Sequence, residues 1–278
     1  MTAVSLKEVL KPAMEEHRAV AGLVVLGWED ARAYVEAAEE TGIPIILQAG
    51  PGCRAHTPVP ILGKMFRHLA DQASVPIVCH IDHGYSVQDC LEGIDSGFTS
   101  VMFDGSKLTI SENIDITARI VETAHTAGVS VEGEVGFVGY AEGAPSANTL
   151  PDEAARFNNE SGATALAISV GNVHLKTEKT SGIDFGALKA IEEVTTLPLV
   201  LHGGSGIPVN VRKRLAQESR VSKFNIGTEL RMAFGNALRK SLTENRDSFD
   251  RIRLLSPTVD AVKSVTIEVI SALNGKPE

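Results

Sequence analysis

The sequence lacks the features that mark secreted, membrane-spanning and disulfide-stabilised proteins. Among its 278 residues only three are cysteines (Cys53, Cys79 and Cys90), and they form no CxxC pair. Three thiols are too few for a disulfide framework, so we expect reduced cysteines in a cytoplasmic protein. No apolar run approaches the roughly 18 residues that span a membrane, and the first residues do not resemble a signal peptide.

Basic and aromatic residues are also scarce. The sequence has 26 Lys and Arg against 35 Asp and Glu, a formal net charge of −9, and only 5% aromatic residues. A nucleic-acid-binding surface normally carries a basic patch, so this balance argues against such a partner. An anionic small molecule would instead need a local site of backbone N–H groups or a metal ion.

Short apolar runs rich in β-branched residues alternate with amphipathic helical patterns, such as those at 28–42 and 112–128. The turn after the first run reads VLGWED, without the GxGxxG of a dinucleotide-binding fold. Eight such units, spaced by roughly 30 residues, predict an α/β protein with one domain over 1–278, a closed (β/α)8 TIM barrel. The predicted strands are 19–25, 45–49, 77–81, 100–103, 130–133, 165–169, 199–201 and 223–226.

Histidines follow three of these predicted strands. His83, His174 and His202 come at the ends of the third, sixth and seventh strands. Active sites of TIM barrels lie where strands end, so three imidazoles there can converge into a zinc site with an open position. A single histidine at such a place is more often structural, and we assign that role to His17, His56, His68, His80 and His125.

Carboxylates accompany these histidines. Asp82 directly precedes His83 and is placed for general acid–base catalysis, although a carboxylate that only orients a histidine fits the same pattern. Asp104 and Glu134 also reach the predicted barrel mouth. They could hold a second cation, or they could cap helices or pair with basic residues.

Two glycine-containing loops follow the seventh and eighth predicted strands, GGSG at 203–206 and NIGT at 225–228. TIM barrels often bind phosphate at this corner through backbone N–H groups and a helix N-terminus. Ser205 and Thr228 can add hydroxyl donors. Together the two loops predict a phosphate site.

These segments together resemble the class II fructose-bisphosphate and tagatose-bisphosphate aldolases, over nearly the whole chain. The motifs HxDHG, HGGSG and NxGTEL occur in the family's order and spacing, which is a highly specific pattern. The resemblance implies a zinc-dependent lyase of sugar phosphates that assembles as a homodimer or homotetramer. The matching segments are PIVCHIDHG (76–84), SVMFDGSKLTISENIDIT (100–117), GVSVEGEVG (128–136), LHGGSGIP (201–208) and KFNIGTELR (223–231).

The resemblance also implies roles for individual residues. His83, His174 and His202 would bind zinc, and Asp82 would move the proton of the substrate's C4 hydroxyl. Glu142, in the loop after the fifth strand, matches a glutamate that helps to protonate the enediolate. Glu134 and Asp104 match positions of alternative metal placement, or of a second divalent or monovalent cation. The pocket for dihydroxyacetone phosphate would be formed by Gly203, Ser205, Asn225, Gly227 and Thr228.

This route needs no Schiff-base lysine. Lys223 starts the eighth predicted strand, which places it at the wrong end of the barrel for such a role.

The chain departs from the family pattern in the expected substrate pocket. Gly50 stands where the family carries a serine, and Val259 stands where we expect an arginine that grips the distal phosphate. Leu23–Val24 replaces Phe–Asn in the first strand, and Leu175 replaces a glycine beside the near phosphate site.

Without that arginine and serine a distal phosphate loses its charged, bidentate partner, so we expect a ketose 1-phosphate or modified sugar phosphate as substrate. If Arg251 or Arg253 takes the arginine's place, the chain is an ordinary fructose- or tagatose-1,6-bisphosphate aldolase. Two other classes stay open: a non-catalytic paralogue that binds a sugar phosphate or metal, and a metal-dependent hydrolase or isomerase on the same scaffold.

Overall fold

Strands and helices alternate along the chain in the predicted order. The computed structural model describes residues 2–141, 143, 145–180 and 182–275. The strands are β1 Val20–Val24, β2 Ile45–Ala49, β3 Ile77–Gly84, β4 Ser100–Phe103, β5 Ser130–Val135, β6 Ala165–Ile168, β7 Leu199–Leu201 and β8 Val221–Ile226. The α-helices are α1 Leu6–Glu15, α2 Trp28–Thr41, α3 Pro51–His56, α4 Val59–Gln72, α5 Val87–Asp95, α6 Ile110–Thr126, α7 Pro151–Glu160, α8 Phe185–Val194, α9 Val209–Glu218, α10 Thr228–Glu244 and α11 Arg251–Leu273.

The eight strands close into a barrel in sequence order. Every neighbouring pair is parallel, and β1 pairs with β8 to complete the ring. The predicted (β/α)8 barrel is therefore confirmed. All eight carboxyl ends meet at one mouth, where the polar motifs of the sequence converge.

Local sequence accounts for several helix starts. Thr109 caps α6 by accepting a hydrogen bond from the Glu112 N–H, while the Glu112 carboxylate accepts one from the Thr109 N–H. Ser86 and Asp89 form the same reciprocal box at α5. Each box satisfies backbone donors that the first helical turn leaves free, so these two helices begin at fixed residues beside β4 and β3.

The barrel interior changes character along its axis. Its lower layer is apolar, contains Val20, Ile46 and Val78, and packs against Leu6 and Leu10 of α1, which covers that end of the barrel. Strand side chains alternate between faces with a period of two. Two residues beyond Val78 the inward side chain of β3 is His80, and two further it is Asp82, so the interior becomes polar towards the mouth.

Two strands extend further at their carboxyl ends than the sequence patterns predict. β3 runs to Gly84, with an irregularity between Ile81 and Gly84, and β5 runs to Val135. The motif residues Asp82, His83 and Glu134 therefore belong to the strand ends and not to the following loops.

The long helix α11 closes the fold by packing on α2 and α10. Within the residues that the structure describes, no helix is both long enough and apolar enough to cross a membrane.

Candidate active site

Three imidazoles meet at the barrel mouth. His83, His174 and His202 each place a ring nitrogen within 4.8 Å of the others. His202 Nδ1 lies 2.9 Å from His83 Nε2, and the His174 ring centroid lies 5.4 Å from that of His83. The structure thus brings together the three histidines that the sequence placed at separate strand ends, in a donor set that suits a zinc ion.

The backbone at His83 is held in an unusual conformation. Its φ is +52°, a left-handed value that costs a non-glycine residue about 1–2 kcal/mol. Arg54 of α3 clamps this turn, because its guanidinium donates to the carbonyl oxygens of Asp82 at 2.6 Å, His83 at 2.9 Å and Ala49 at 2.5 Å. One side chain thereby fixes the ends of β2 and β3 together.

Carboxylates surround the outer nitrogen of His83. His83 Nδ1 lies 2.8 Å from Asp104 Oδ2 and 3.7 Å from Glu134 Oε2. Burial opposes protonation of the imidazole, but three nearby carboxylates outweigh burial and raise the pKa of His83 to about 9. Burial, with a contribution from Asp104, raises the pKa of Glu134 to about 8. The carboxylates around His83 therefore favour positive charge at this position.

The pKa values of the other two imidazoles are lowered instead of raised. Burial and the charge of His83 lower the pKa of His174 to about 4, and burial lowers the pKa of His202 well below its usual value. Both rings are neutral at neutral pH, so each keeps a nitrogen lone pair for a metal ion.

Asp82, the residue before His83, lines the cavity at the barrel mouth. Its Oδ1 accepts a hydrogen bond of 3.1 Å from Asn225 Nδ2. Burial raises the pKa of Asp82, but the nearby basic groups, of which His83 has the largest effect, together outweigh burial and hold the pKa below its usual value. The carboxylate is therefore ionised and can accept a proton. A Cβ atom at Gly50, directly after β2, would lie 3.4 Å from Asp82 Oδ2, so glycine at this position leaves space beside the carboxylate.

The predicted phosphate loops meet at the start of α10. Gly203 has φ +68°, and a Cβ there would lie 2.1 Å from the Val173 carbonyl oxygen, so only glycine fits. Ser205 Oγ accepts hydrogen bonds from the N–H groups of Gly227 at 3.2 Å and Glu229 at 3.4 Å. The serine hydroxyl therefore caps the first turn of α10 as well as facing the cavity.

A cavity of about 300 Å³ joins His83, His174, Asp82 and the phosphate loops, and His202 is buried directly behind His83. All five predicted phosphate-site residues line it, and so does Arg231, which sequence reasoning missed. Arg231 follows Thr228 by three residues on α10, a spacing that places both on one helix face. That spacing was the available signal for a cationic partner at this site.

Two tyrosines were also missed. The Tyr140 ring stacks on His174 with centroids 5.0 Å apart, and Tyr85 lies 6.2 Å from His83 in a stacked arrangement. Backbone hydrogen bonds join the loop after β5 to His174, through Gly139 and Ala141. Glu142 of that loop lies outside the described residues.

The predicted position of Lys223, at the far end of the barrel, is wrong. Because β8 begins two residues earlier, at Val221, the lysine lies inside the barrel and not at its far end. Its Nζ donates to Glu132 Oε2 at 2.6 Å and lies 3.4 Å from His80 Nε2. His80, which also contacts Ser100 Oγ at 2.8 Å, is thus a buried histidine within a polar network below the site.

The departures from the family pattern fall in different places. Leu175 lines the cavity with φ +56° and is half exposed. Val259 is buried in α11, so its side chain faces the protein's own core. Arg251 lines a second cavity, of about 680 Å³, which adjoins the first along Leu26, Gly52, Cys53 and Arg231.

Comparison with known proteins agrees with this geometry. The family model "Fructose-bisphosphate aldolase class-II" matches residues 4–277. The chain belongs to the class II fructose-bisphosphate aldolase family. The chain is therefore an aldolase, a carbon–carbon lyase, as the sequence motifs predicted.

Relatives within this aldolase family carry more than one name. The chain is 35% identical over 276 residues to a fructose-bisphosphate aldolase of Geobacillus stearothermophilus, with 96% of this chain and 95% of the relative covered. It is 37% identical over 271 residues to a 6-phospho-5-dehydro-2-deoxy-D-gluconate aldolase of Bacillus licheniformis, with 95% and 92% covered. The crystal structure of the YdjI aldolase from Escherichia coli K12 superposes with a TM-score of 0.85 at 31% identity, covering 99% of this chain and all of that one.

Proposed function

We propose that this protein is a zinc-dependent aldolase that cleaves or forms the C3–C4 bond of a ketose phosphate, with dihydroxyacetone phosphate as the ketone fragment. One observation carries the proposal. The ring nitrogens of His83, His174 and His202 lie within 4.8 Å of one another, and two of these histidines, His83 and His174, line the same cavity as Asp82 and the phosphate loops.

The residues fit a metal ion. Imidazole nitrogens are preferred zinc ligands, and Glu134 Oε2, which is buried beside them, has no hydrogen-bond partner among the residues that the structure describes. His83, Asp104 and Glu134 form a second group of close donors, which we propose as the place for an alternative metal position or a second cation. When bound, the cation supplies Lewis acidity that stabilises negative charge on the ketone fragment.

The chain's own side chains supply the remaining chemistry. Asp82 takes the proton of the C4 hydroxyl as the C3–C4 bond breaks, which releases the aldehyde and leaves the electron pair on the ketone fragment. Asn225 holds the Asp82 carboxylate in place. Gly203, Ser205, Gly227 and Thr228, with Arg231, hold the phosphate at the start of α10. We assign the return of a proton to the ketone carbon to Glu142.

For the aldehyde fragment we propose a group without the distal phosphate of the bisphosphates. Gly50 leaves the floor beside Asp82 without a hydroxyl, and the adjoining second cavity is bordered by Trp28, Met65, Phe234 and Leu255. Arg251 at that cavity favours the second candidate, an ordinary 1,6-bisphosphate aldolase in which this arginine holds the distal phosphate.

The first test is cleavage of fructose 1-phosphate, fructose 1,6-bisphosphate and tagatose 1,6-bisphosphate, with and without a chelator. We expect chelator-sensitive cleavage that zinc restores, and a preference for substrates with one phosphate. Comparable cleavage of fructose 1,6-bisphosphate and its 1-phosphate would contradict the proposed aldehyde. Bound zinc with no cleavage or condensation of any substrate would contradict the aldolase proposal itself.

Arg251→Gln separates the two candidates, with Arg253→Gln as the matched control because Arg253 does not line the cavity. A hydrogen bond to a charged group contributes about 1.5–3 kcal/mol, or about 10- to 150-fold in kcat/KM. A loss of that size, confined to bisphosphates and to Arg251→Gln, identifies the bisphosphate aldolase.

Assembly and location belong to the same proposal. Phe249 is 98% exposed and Ile252 77% exposed near the start of α11, which supports a homodimer or homotetramer that covers this face. All three cysteines are free and buried, which supports a cytoplasmic location.

A further inference from the structure

A chain of buried polar groups lies directly beneath His202. Lys223 Nζ donates to Glu132 Oε2 at 2.6 Å, and Glu132 Oε1 lies 3.4 Å from His202 Nε2. All three side chains are 0% exposed. The carboxylate therefore bridges an ammonium group below it and an imidazole above it, within the barrel.

This arrangement determines which nitrogen of His202 carries the proton. A neutral imidazole has one N–H donor and one lone pair, whereas an ionised carboxylate only accepts. Nε2, which faces Glu132, is therefore the N–H, and the lone pair falls on Nδ1. Nδ1 points towards His83, 2.9 Å from its Nε2. This is the tautomer that a metal ligand at this position requires.

Lys223 is needed for this effect. A carboxylate buried without a counter-charge would be strongly destabilised. Lys223 Nζ supplies this counter-charge at Glu132 Oε2, 2.6 Å away, and leaves Oε1 as the acceptor that faces His202 Nε2. The lysine is itself oriented by His80 Nε2 at 3.4 Å, and His80 Nδ1 contacts Ser100 Oγ at 2.8 Å.

We propose that Glu132 and Lys223 are positioning residues, which fix the tautomer and direction of His202 and thereby set metal affinity without touching the substrate. The inference rests on the proposed function, because it requires His202 to be a metal ligand. The alternative is a purely structural ion pair inside the barrel.

Glu132→Gln tests the tautomer directly. Lys223 would draw the amide oxygen to itself, so the amide NH2 would face His202 Nε2 and require a lone pair there, moving the proton to Nδ1. We expect zinc affinity, measured by competition with a chromophoric chelator, to fall about 10- to 100-fold. The absorption spectrum of the cobalt-substituted protein should change as well. Thr266→Val, at a buried hydroxyl of α11, is the matched control and should bind zinc like wild type.

The double variant Glu132→Gln/Lys223→Met distinguishes positioning from structure. Without the lysine, the amide oxygen can turn to accept from His202 Nε2, so zinc affinity should recover by at least several-fold. If the ion pair is purely structural, the double variant should bind zinc more weakly than the single variant, because two defects accumulate. Loss in the single variant without recovery in the double variant would overturn the proposal, as would a Glu132→Gln protein with wild-type zinc affinity and cobalt spectrum.

Nitrogen-15 NMR of the imidazoles keeps the test independent of whether these variants fold. In metal-free wild type, with His202→Ala used for assignment, we expect a protonated Nε2 and an unprotonated Nδ1 at His202. The opposite tautomer would refute the inference.

The zinc affinity of His202→Ala also separates this inference from the proposed function. Unchanged zinc affinity in His202→Ala would contradict the proposed metal site itself. If His202→Ala loses zinc while Glu132→Gln binds it like wild type, Glu132 does not position the ligand.

Discussion

Replacing Arg54 with methionine should destabilise the protein and weaken its active site together. The guanidinium of Arg54 donates to three backbone carbonyls, those of Ala49, Asp82 and His83. Two of these belong to the turn in which His83 has φ +52°. Methionine keeps the length and apolar stem of the side chain and removes all three donors.

The magnitude follows from the number and exposure of these bonds. A hydrogen bond to a charged group contributes about 1.5–3 kcal/mol, but Arg54 is only half-buried, so water can replace part of what is lost. We therefore expect a loss of about 3 kcal/mol in the free energy of unfolding. For a protein of this size, 1 kcal/mol shifts the melting temperature by about 2–4 °C, so the expected decrease is about 6–12 °C.

The assay is thermal unfolding of the variant beside Arg67→Met, followed by steady-state kinetics. Arg67 pairs with Asp71 on the surface of α4, a contact worth about 0–1 kcal/mol, so its removal should change the melting temperature little. Arg54→Met should also lower kcat, because Asp82 and His83 lose their common anchor. An Arg54→Met protein that melts within 1 °C of wild type would refute the reasoning.

Three further substitutions test other parts of the site. Asp82→Asn should lower kcat by about 10²- to 10⁴-fold while zinc stoichiometry stays the same, and a variant with wild-type kcat would remove Asp82 from the mechanism. Gly203→Ala should lower the melting temperature more than Gly128→Ala does, because both have φ +68° but only Gly203 meets the Val173 carbonyl oxygen; equal shifts would contradict the close approach. Leu175→Gly should leave the free energy of unfolding unchanged or raise it by up to about 1 kcal/mol. Relief of the left-handed φ at this position offsets the greater entropy of glycine in the unfolded chain. A loss above about 1 kcal/mol in chemical denaturation would contradict this expectation.

The barrel and the site's core were accessible from sequence because both depend on local patterns. β-Branched runs such as 45–49 and 100–103 coincide with β2 and β4. Parallel strands in a barrel place all their carboxyl ends at one mouth, so residues that follow different strands were bound to converge. The convergence of three histidines and Asp82 could therefore be predicted from the sequence.

Interactions across the barrel were not accessible in this way. Arg54 lies far along the chain from the Asp82 and His83 carbonyls that it holds, and no local pattern connects them. Lys223 was misplaced because an error of two residues at the start of β8 moved it from the barrel interior to its end. Val259 shows the same limit, since only packing reveals that its side chain lies in the protein's own core.

Anomalous X-ray diffraction at the zinc absorption edge, on crystals of the protein supplied with zinc, tests whether the three imidazoles hold the metal ion. We expect a strong anomalous peak about 2.0–2.1 Å from one nitrogen each of His83, His174 and His202. A zinc-saturated crystal with no peak between these imidazoles, or with zinc held only by other residues, would contradict the proposed metal site.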